Sequence, residues 1–346
     1  MNKYLIAILI VMLASPVGAT TYYACIAGDI NAANAWEDAA GCDGSTFTYG
    51  TGGFPAAGSV LNANNQAMTV NTDPGPNGKV VLTNPAGGAF TSSGNITITA
   101  DVGVDGDRGS VDCLTIGSGT VTLLGDVYGG DGSGADGLVI SGAGTAVTIG
   151  SSGAGTVTIK GGSAATGYGV NDSHTAATTT VYANITGGTN STAAGYSHNA
   201  AGTVAITGNI TGGAAHGIQN LNSSSTITVA GDCIGSATVA ASHGCNNLAY
   251  GTFTVTGNII NGAAGSGVAG KVRWEPSSAQ KYIKFDAGGT AIYAGAGLGS
   301  DAGGTQVSAA NTAAEISTGK YFIKKDDGAY TQGTKSAGGG GGAWGF

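Results

Sequence analysis

The sequence predicts an all-β chain, a parallel β-solenoid of about seven coils. An N-terminal cap precedes the coils, and a C-terminal β region and a glycine-rich tail follow them. Three observations predict this. One eight-residue pattern recurs through the middle of the chain at a nearly constant interval. Within each copy apolar and polar residues alternate with period two, the side-chain period of a strand. Glycine makes up 66 of 346 residues, against about 7% in an average protein, and much of it falls in pairs between the alternating segments.

The repeat reads NITITADV (95–102), TVTLLGDV (120–127), TVTIKGGS (156–163), TTTVYANI (178–185), TVAITGNI (203–210), TITVAGDC (226–233) and TFTVTGNI (252–259). Its seventh position is Asp101, Asp126, Gly162, Asn184, Asn209, Asp232 and Asn258, at successive spacings of 25, 36, 22, 25, 23 and 26 residues. The long interval reads as one coil carrying an inserted hairpin, GTAVTIGSSGAG (144–155), and AMTVNTDP (67–74) as a degenerate first coil.

Each element has a local reason. Val121 and Leu123, like Val204/Ile206, Ile227/Val229 and Phe253/Val255, fall on one side of a strand, with Thr or Ala on the other. A Gly-Asn or Gly-Asp pair then bends the chain, since these residues enter φ > 0 at least cost. A further short strand starts after a glycine, as at Gly137-Leu138, Gly195-Tyr196 and Gly217-Ile218. One such unit cannot bury its apolar face alone, so copies must stack. Stacking puts Asp101, Asp126, Asn184, Asn209, Asp232 and Asn258 in a column at the bend, where their side chains would satisfy turn backbone groups. No sustained 3.6-residue period is present, which excludes helical bundles and doubly wound sheets.

These TVTITGNITGG-like coils, spanning about half the chain from 95 to 270, resemble the right-handed parallel β-helix proteins. Those include pectate-lyase-like enzymes, autotransporter passenger domains and phage tail-spike bodies. The resemblance implies a right-handed β-helix and is one of architecture, so it carries over no catalytic residue. The Thr columns (Thr120/Thr122, Thr226/Thr228, Thr252/Thr254) also resemble the TxT ranks of ice-binding solenoids. Ala205 and Tyr182 are read as breaks in the rank, against a flat ice-matching face.

The ends differ from the middle. Residues 1–19 have one positive charge (Lys3), an apolar run from Leu5 to Leu13 and Val17 and Ala19 at the −3 and −1 positions. This is the layout of a secretory signal peptide cleaved after Ala19, so the chain is expected to be secreted or at the cell surface. Residues 20–94 read as the cap and degenerate first coil, 95–270 as the solenoid, 271–335 as the C-terminal β region with a hairpin-like KYFIKKDDGAY (320–330), and 336–346 as the tail. The tail presents Trp344 and Phe346 to a partner, or else is a loose terminus.

Composition excludes other classes. The chain carries a net charge of −8 with only 9% charged residues, whereas binding nucleic acid needs clustered Lys and Arg. No second apolar stretch reaches the ~20 residues of a membrane span. Collagen fails for want of proline, and wholesale disorder for excess of apolar residues.

Candidate sites are few. Between 95 and 270 there is no Glu, and the bases there are Arg108 and Lys160. Glycoside hydrolysis needs two carboxyl groups about 5–9.5 Å apart, and no such exposed pair is evident, so no catalytic residue and no enzyme activity are expected. Asp105, Asp107, Asp112, Asp131 and Asp136 fall on one edge of adjacent coils, either as a Ca²⁺ site or as solvated turn residues with Arg108 as partner. No other cofactor is indicated. His216 and His243 share the column of Asp112 and Asp136, and they read as exposed turn positions more readily than as a metal-binding pair. His174 and His198 read the same way. In an oxidising compartment Cys25–Cys42 is a candidate disulfide. Cys233–Cys245 is either a second, across one coil, or two buried thiols, with Cys113 left odd.

The function expected from these observations is structural or adhesive: a surface, matrix or fibre component presenting a Thr/Asn-rich flank to a glycan or a surface protein, alone or as a homo-oligomer. A carbohydrate-active β-helix enzyme, lyase or hydrolase, is the alternative, and a phage-type fibre or spike component the second.

Overall fold

Alternating strands bounded by glycine wind into three parallel ladders. The computed structural model describes 20–75, 80–83, 89–104, 114–130, 135–142, 146–152, 157–162, 167–175, 178–189, 193–239, 242–249 and 251–260, then strands within 268–333. Among these residues every regular element is a strand, and the chain makes an all-β parallel solenoid of about six turns.

One coil illustrates the rest. Tyr196–His198 lies on the first face, Thr203–Ile206 on the second and Ile210–Thr211 on the third. Each pairs in parallel with its counterpart one coil on: Tyr196 with Ile218, Thr203 with Thr226, Ile210 with Cys233. The inward positions form columns of like residues. Leu123, Ile149, Val181, Ile206, Val229 and Val255 stack on the second face, and Val127, Ile159, Ile185, Ile210 and Ile259 on the third, all essentially inaccessible. Each such side chain contributes about 1.5–3 kcal/mol relative to exposure.

The long interval in the repeat has a different cause from the one the sequence suggests. Ala146–Ile149 pairs in register with Thr120–Leu123 and with Thr178–Val181, so it is the coil's second-face strand and not part of an inserted hairpin. Val157–Lys160 belongs to the third face, with Thr158 opposite Asn184. Thr158, not Gly162, therefore occupies the bend column. Both strands carry a V-T-I core, and sequence alignment chose the wrong one. Similarly, Ala67–Val70 joins the first face, beside Ala89–Ser92.

The N-terminal segment continues the ladders and closes them. Thr21–Ala24 pairs in parallel with Val60–Asn62 and antiparallel with Trp36–Glu37, which pairs with Thr46–Phe47. Trp36 is fully buried and donates its indole N–H to the Ile30 carbonyl at 2.7 Å. Tyr22 meets Phe47 and Phe54 edge-on at 4.8 and 4.6 Å, and Cys25 is bonded to Cys42. At the other end Val268–Trp274 pairs antiparallel with Phe322–Asp326, which forms an antiparallel pair with Ala329–Gly333. Trp274 is buried there, with its indole N–H on the Gly257 carbonyl.

Glycine is required where neighbouring coils touch backbone to backbone. A Cβ on Gly213 would sit 1.9 Å from the Gly188 oxygen and 2.0 Å from that of Gly187. One on Gly125 would lie 1.8 Å from the Ala100 oxygen. Gly213→Ala should therefore cost about 3 kcal/mol, the upper end of overpacking penalties, read from the denaturant midpoint. The exposed Thr228→Ala should stay within about 0.5 kcal/mol of wild type.

Candidate functional site

The densest group of titratable side chains lies inside the solenoid, at the corner between its first and second faces. Strand parity puts Val170 and Asp172 inward and Asn171 outward. One coil on, Tyr196 stacks on Val170 and His198 on Asp172. The Asp172 carboxylate accepts from the His174 ring Nδ1, from the Tyr196 hydroxyl, and from Thr179 Oγ1 at 3.3 Å. His198 Nδ1 lies 3.2 Å from its second oxygen, off the line of a good hydrogen bond, and His198 Nε2 has no hydrogen-bond partner. Asp172, His174, Thr179, Tyr196 and His198 are all at 0% exposure.

The surroundings set the protonation states. Burial pushes the Asp172 carboxyl up, but the hydrogen bond from His174, the close approach of His198, the charge of His174 and the Tyr196 hydroxyl together hold it down to about 2. Burial, and then the Asp172 charge and hydrogen bond, drive the Tyr196 phenol well above its ordinary value. The sequence reading placed His174 and His198 at exposed turns, and the structure corrects this. Parity was the available signal, since His198 follows the inward Tyr196 by two residues. Asp172 was missed because carboxylates were sought on exposed faces.

The column continues as amides. Asn220 follows His198 and Asn247 follows Asn220. Asn220 Nδ2 donates to Asn247 Oδ1 at 2.8 Å, Asn247 Nδ2 to the Gly251 carbonyl at 2.8 Å, and Ser225 Oγ to Asn220 Oδ1 at 2.8 Å. The corner is thus a polar seam through an apolar core, satisfied along most of its length.

The bend column acts between coils. Asp101 Oδ1 accepts the Asp126 backbone N–H at 3.0 Å, and Asp126 Oδ1 that of Thr158 at 2.9 Å. After the interruption at Thr158, Asn184, Asn209 and Asp232 accept from Asn209, Asp232 and Asn258 in the same way. Each side chain fastens the next coil's turn.

The remaining candidates part company. Asp136 is nearly buried, accepting the Tyr168 N–H at 2.6 Å and the Asn171 side chain at 2.7 Å. Asp105, Asp107, Asp112, Asp131, Arg108, Cys113, Trp344, Phe346 and the leader 1–19 lie outside the described residues. Among the described residues no three His, Cys, Asp or Glu side chains are arranged to hold a metal ion. His216 and His243 are partly buried and stack with ring centroids 5.0 Å apart and planes 10° from parallel. Parallel rings aim their lone pairs side by side, and they cannot both reach one metal at the ~2.0 Å of a metal–nitrogen bond. His216 Nδ1 already accepts the His243 backbone N–H, and burial, then His243, lowers the His216 pKa to about 4. Cys233 and Cys245 are free buried thiols, so the cross-coil disulfide is not made. Burial, then the neighbouring Cys233, pushes the Cys245 thiol up.

On the outside, the second face carries two ranks of hydroxyls. Thr97, Thr122, Thr148, Thr180, Ala205, Thr228 and Thr254 stand in register. Beside them run Thr120, Ala146, then Thr178, Thr203, Thr226 and Thr252. Tyr182 follows its strand and is not in either rank, so Ala205 alone breaks the first one.

The chain matches no protein-family model, no curated protein and no solved structure. No helix among the described residues is long and apolar enough to cross a membrane.

Two outcomes follow from this geometry. Asp172 has a folded pKa below its ordinary 3.8, so its stabilisation is complete above that value and is lost as pH falls toward about 2. Asp172→Ala, which strips the imidazoles of their partner, should cost about 3–5 kcal/mol at neutral pH, measured by denaturant titration. Iodoacetamide should leave Cys233 and Cys245 unmodified in the native chain and label both in denaturant, with Cys25 and Cys42 labelled only after reduction.

Proposed function

We propose that the chain is exported and serves outside the cell as a structural or adhesive solenoid of the surface-protein type, presenting its Thr/Asn-rich flank to glycans or surface proteins. The observation that carries this reading is the second face. Its two in-register Thr ranks offer hydroxyl and methyl groups at the strand separation of about 4.8 Å, a repeating surface suited to a repeating ligand. The signal-peptide layout of residues 1–19 supports export.

The proposal takes the role to be non-enzymatic, because the described carboxylates of the repeating coils, Asp101, Asp126, Asp136, Asp172 and Asp232, are in structural use. Asp101, Asp126 and Asp232 each accept a backbone N–H from the next coil. Asp136 holds Tyr168 and Asn171, and Asp172 is sealed inside. A β-helix lyase or hydrolase would need such groups exposed as a pair.

The test is to incubate the exported chain with soluble and insoluble polysaccharides, with and without Ca²⁺, scoring retention together with released reducing or unsaturated ends. Retention without release is expected, and Thr122→Lys/Thr180→Lys/Thr228→Lys should lower it at least about tenfold, a loss of roughly 1.4 kcal/mol. Release of ends would overturn the reading in favour of an enzyme. Neither retention nor release would remove the glycan ligand, leaving self-association, read by light scattering, as the structural role.

A further inference from the structure

We propose that Cys233 and Cys245 form a concealed redox latch: the closed coil keeps both as thiols beyond the reach of oxidants, and a small-molecule disulfide joins them once that coil opens. Cys233 starts a third-face strand in the inward column, in register with Ile210 and Ile259. Cys245 starts the next first-face strand in its inward column, in register with Ile218 and Val268. The two strand starts meet backbone against backbone, since a Cβ on Gly244 would lie 2.5 Å from the Cys233 carbonyl oxygen. The two thiols hydrogen-bond each other, and both residues are at 0% exposure. Preceding coils fill the same two columns with Ile210 and Ile218, or with Ile185 and Tyr196, all fully buried. Two cysteines in their place give up buried volume, which costs stability in a close-packed core. What the smaller pair adds is chemistry: two sulfurs in contact within one coil, 12 residues apart in the chain.

In the closed coil the pair is inert. Thiol–disulfide exchange needs a thiolate in contact with the incoming sulfur, and burial both bars that contact and pushes the Cys245 thiol up. Local opening removes both obstacles. One thiolate then attacks a disulfide such as oxidised glutathione, giving a mixed disulfide and one glutathione thiol. The second cysteine attacks the protein sulfur of the mixed disulfide, forming the Cys233–Cys245 bond and expelling the second glutathione. Both cysteine protons end on the two glutathione thiols, so the pair loses two electrons and one glutathione disulfide gains them. The new bond closes a short loop in the opened chain and so removes entropy from the open state. The coil then recloses over two sulfurs that already faced each other, and it opens less often thereafter. The supply of oxidant rests on the export reading above, whereas the chemistry of the pair does not.

The test treats the native full chain with oxidised glutathione, in plain buffer and in denaturant below the unfolding transition, with linkages read by non-reducing peptide mapping. The Cys233–Cys245 bridge should form at least about tenfold faster in the denaturant, as expected of a reaction limited by opening. Once the denaturant is removed, the bridged chain should melt above the thiol form. Its 226–247 amides should exchange up to about a hundredfold more slowly, the scale of a short-loop cross-link. Cys245→Ala, or Cys233→Ala should the first variant fail to fold, should stop at the mixed glutathione disulfide with no gain in melting temperature. None of these readouts depends on glycan retention or on export. Bridging at one rate with and without denaturant would overturn the concealment. Cysteines left unlinked in denaturant, as thiols or as mixed disulfides, would overturn the latch, as would a bridged chain that melts below the thiol form.

Discussion

The structure depends on one constraint, that every coil lies in register on the next at the hydrogen-bonded separation of parallel strands, about 4.8 Å. At that distance each side chain packs on its own counterpart, so the sequence is selected for columns. Apolar columns interdigitate into the core. Threonine columns become the exposed ranks. Asn and Asp at the bend turn a repeated side chain into a repeated hydrogen bond to the next coil's backbone. Where two coils touch at Gly125 or Gly213, the same distance leaves no room for a Cβ.

Stacking like on like is forbidden to one class of residue, because a column of buried carboxylates would repel itself. The corner seam shows how the chain admits a charge without repeating it. Asp172 stands on Ile140 and beneath His198, and the two coils beyond carry Asn220 and Asn247. The carboxylate is used once, and its neighbours are chosen to donate to it. Farther along, the amide supplies both donor and acceptor, so it can follow itself. Apolar, charged and amide stretches of one inward column thus succeed each other for electrostatic reasons, not by drift in a repeat.

Much of this was legible in the sequence. Period-two alternation identified the second-face strands other than Ala146–Ile149, and the Asn/Asp positions fell out of their alignment. The third face was harder to see, because strands as short as Ile210–Thr211 carry no periodicity of their own. That is why Val157–Lys160 passed for a second-face strand and Gly162 for a bend residue. The interior cluster was missed for a different reason. Composition marks Asp and His as surface residues, and only the parity counted from Tyr196 and Val170 turns His198 and Asp172 inward. For Cys233 and Cys245 the sequence left a cross-coil bridge and two buried thiols open, and the thiols are free. Whether two facing thiols are joined depends on sulfur geometry that column positions do not specify.

Inside and outside are linked by the parity that made the fold readable. A slip of one residue in any strand would exchange its two faces, turning Thr122 or Thr228 inward and the apolar column to solvent. The exposed ranks are interrupted singly, at Ala146 and Ala205, with no change of register. They do not tolerate a slip. Apolar columns resist one only weakly at the level of whole coils, since Ile on Val is nearly as good as Ile on Ile. Asp172 is more exacting. It finds His198, Tyr196 and Thr179 together only when the 196–211 coil sits on the 170–186 coil in the observed register. Any other stacking takes Tyr196 and His198 from a buried carboxylate and leaves it only His174 and Thr179 of its own coil. The polar corner therefore helps to align the threonine ranks on the second-face strands that follow it in each coil.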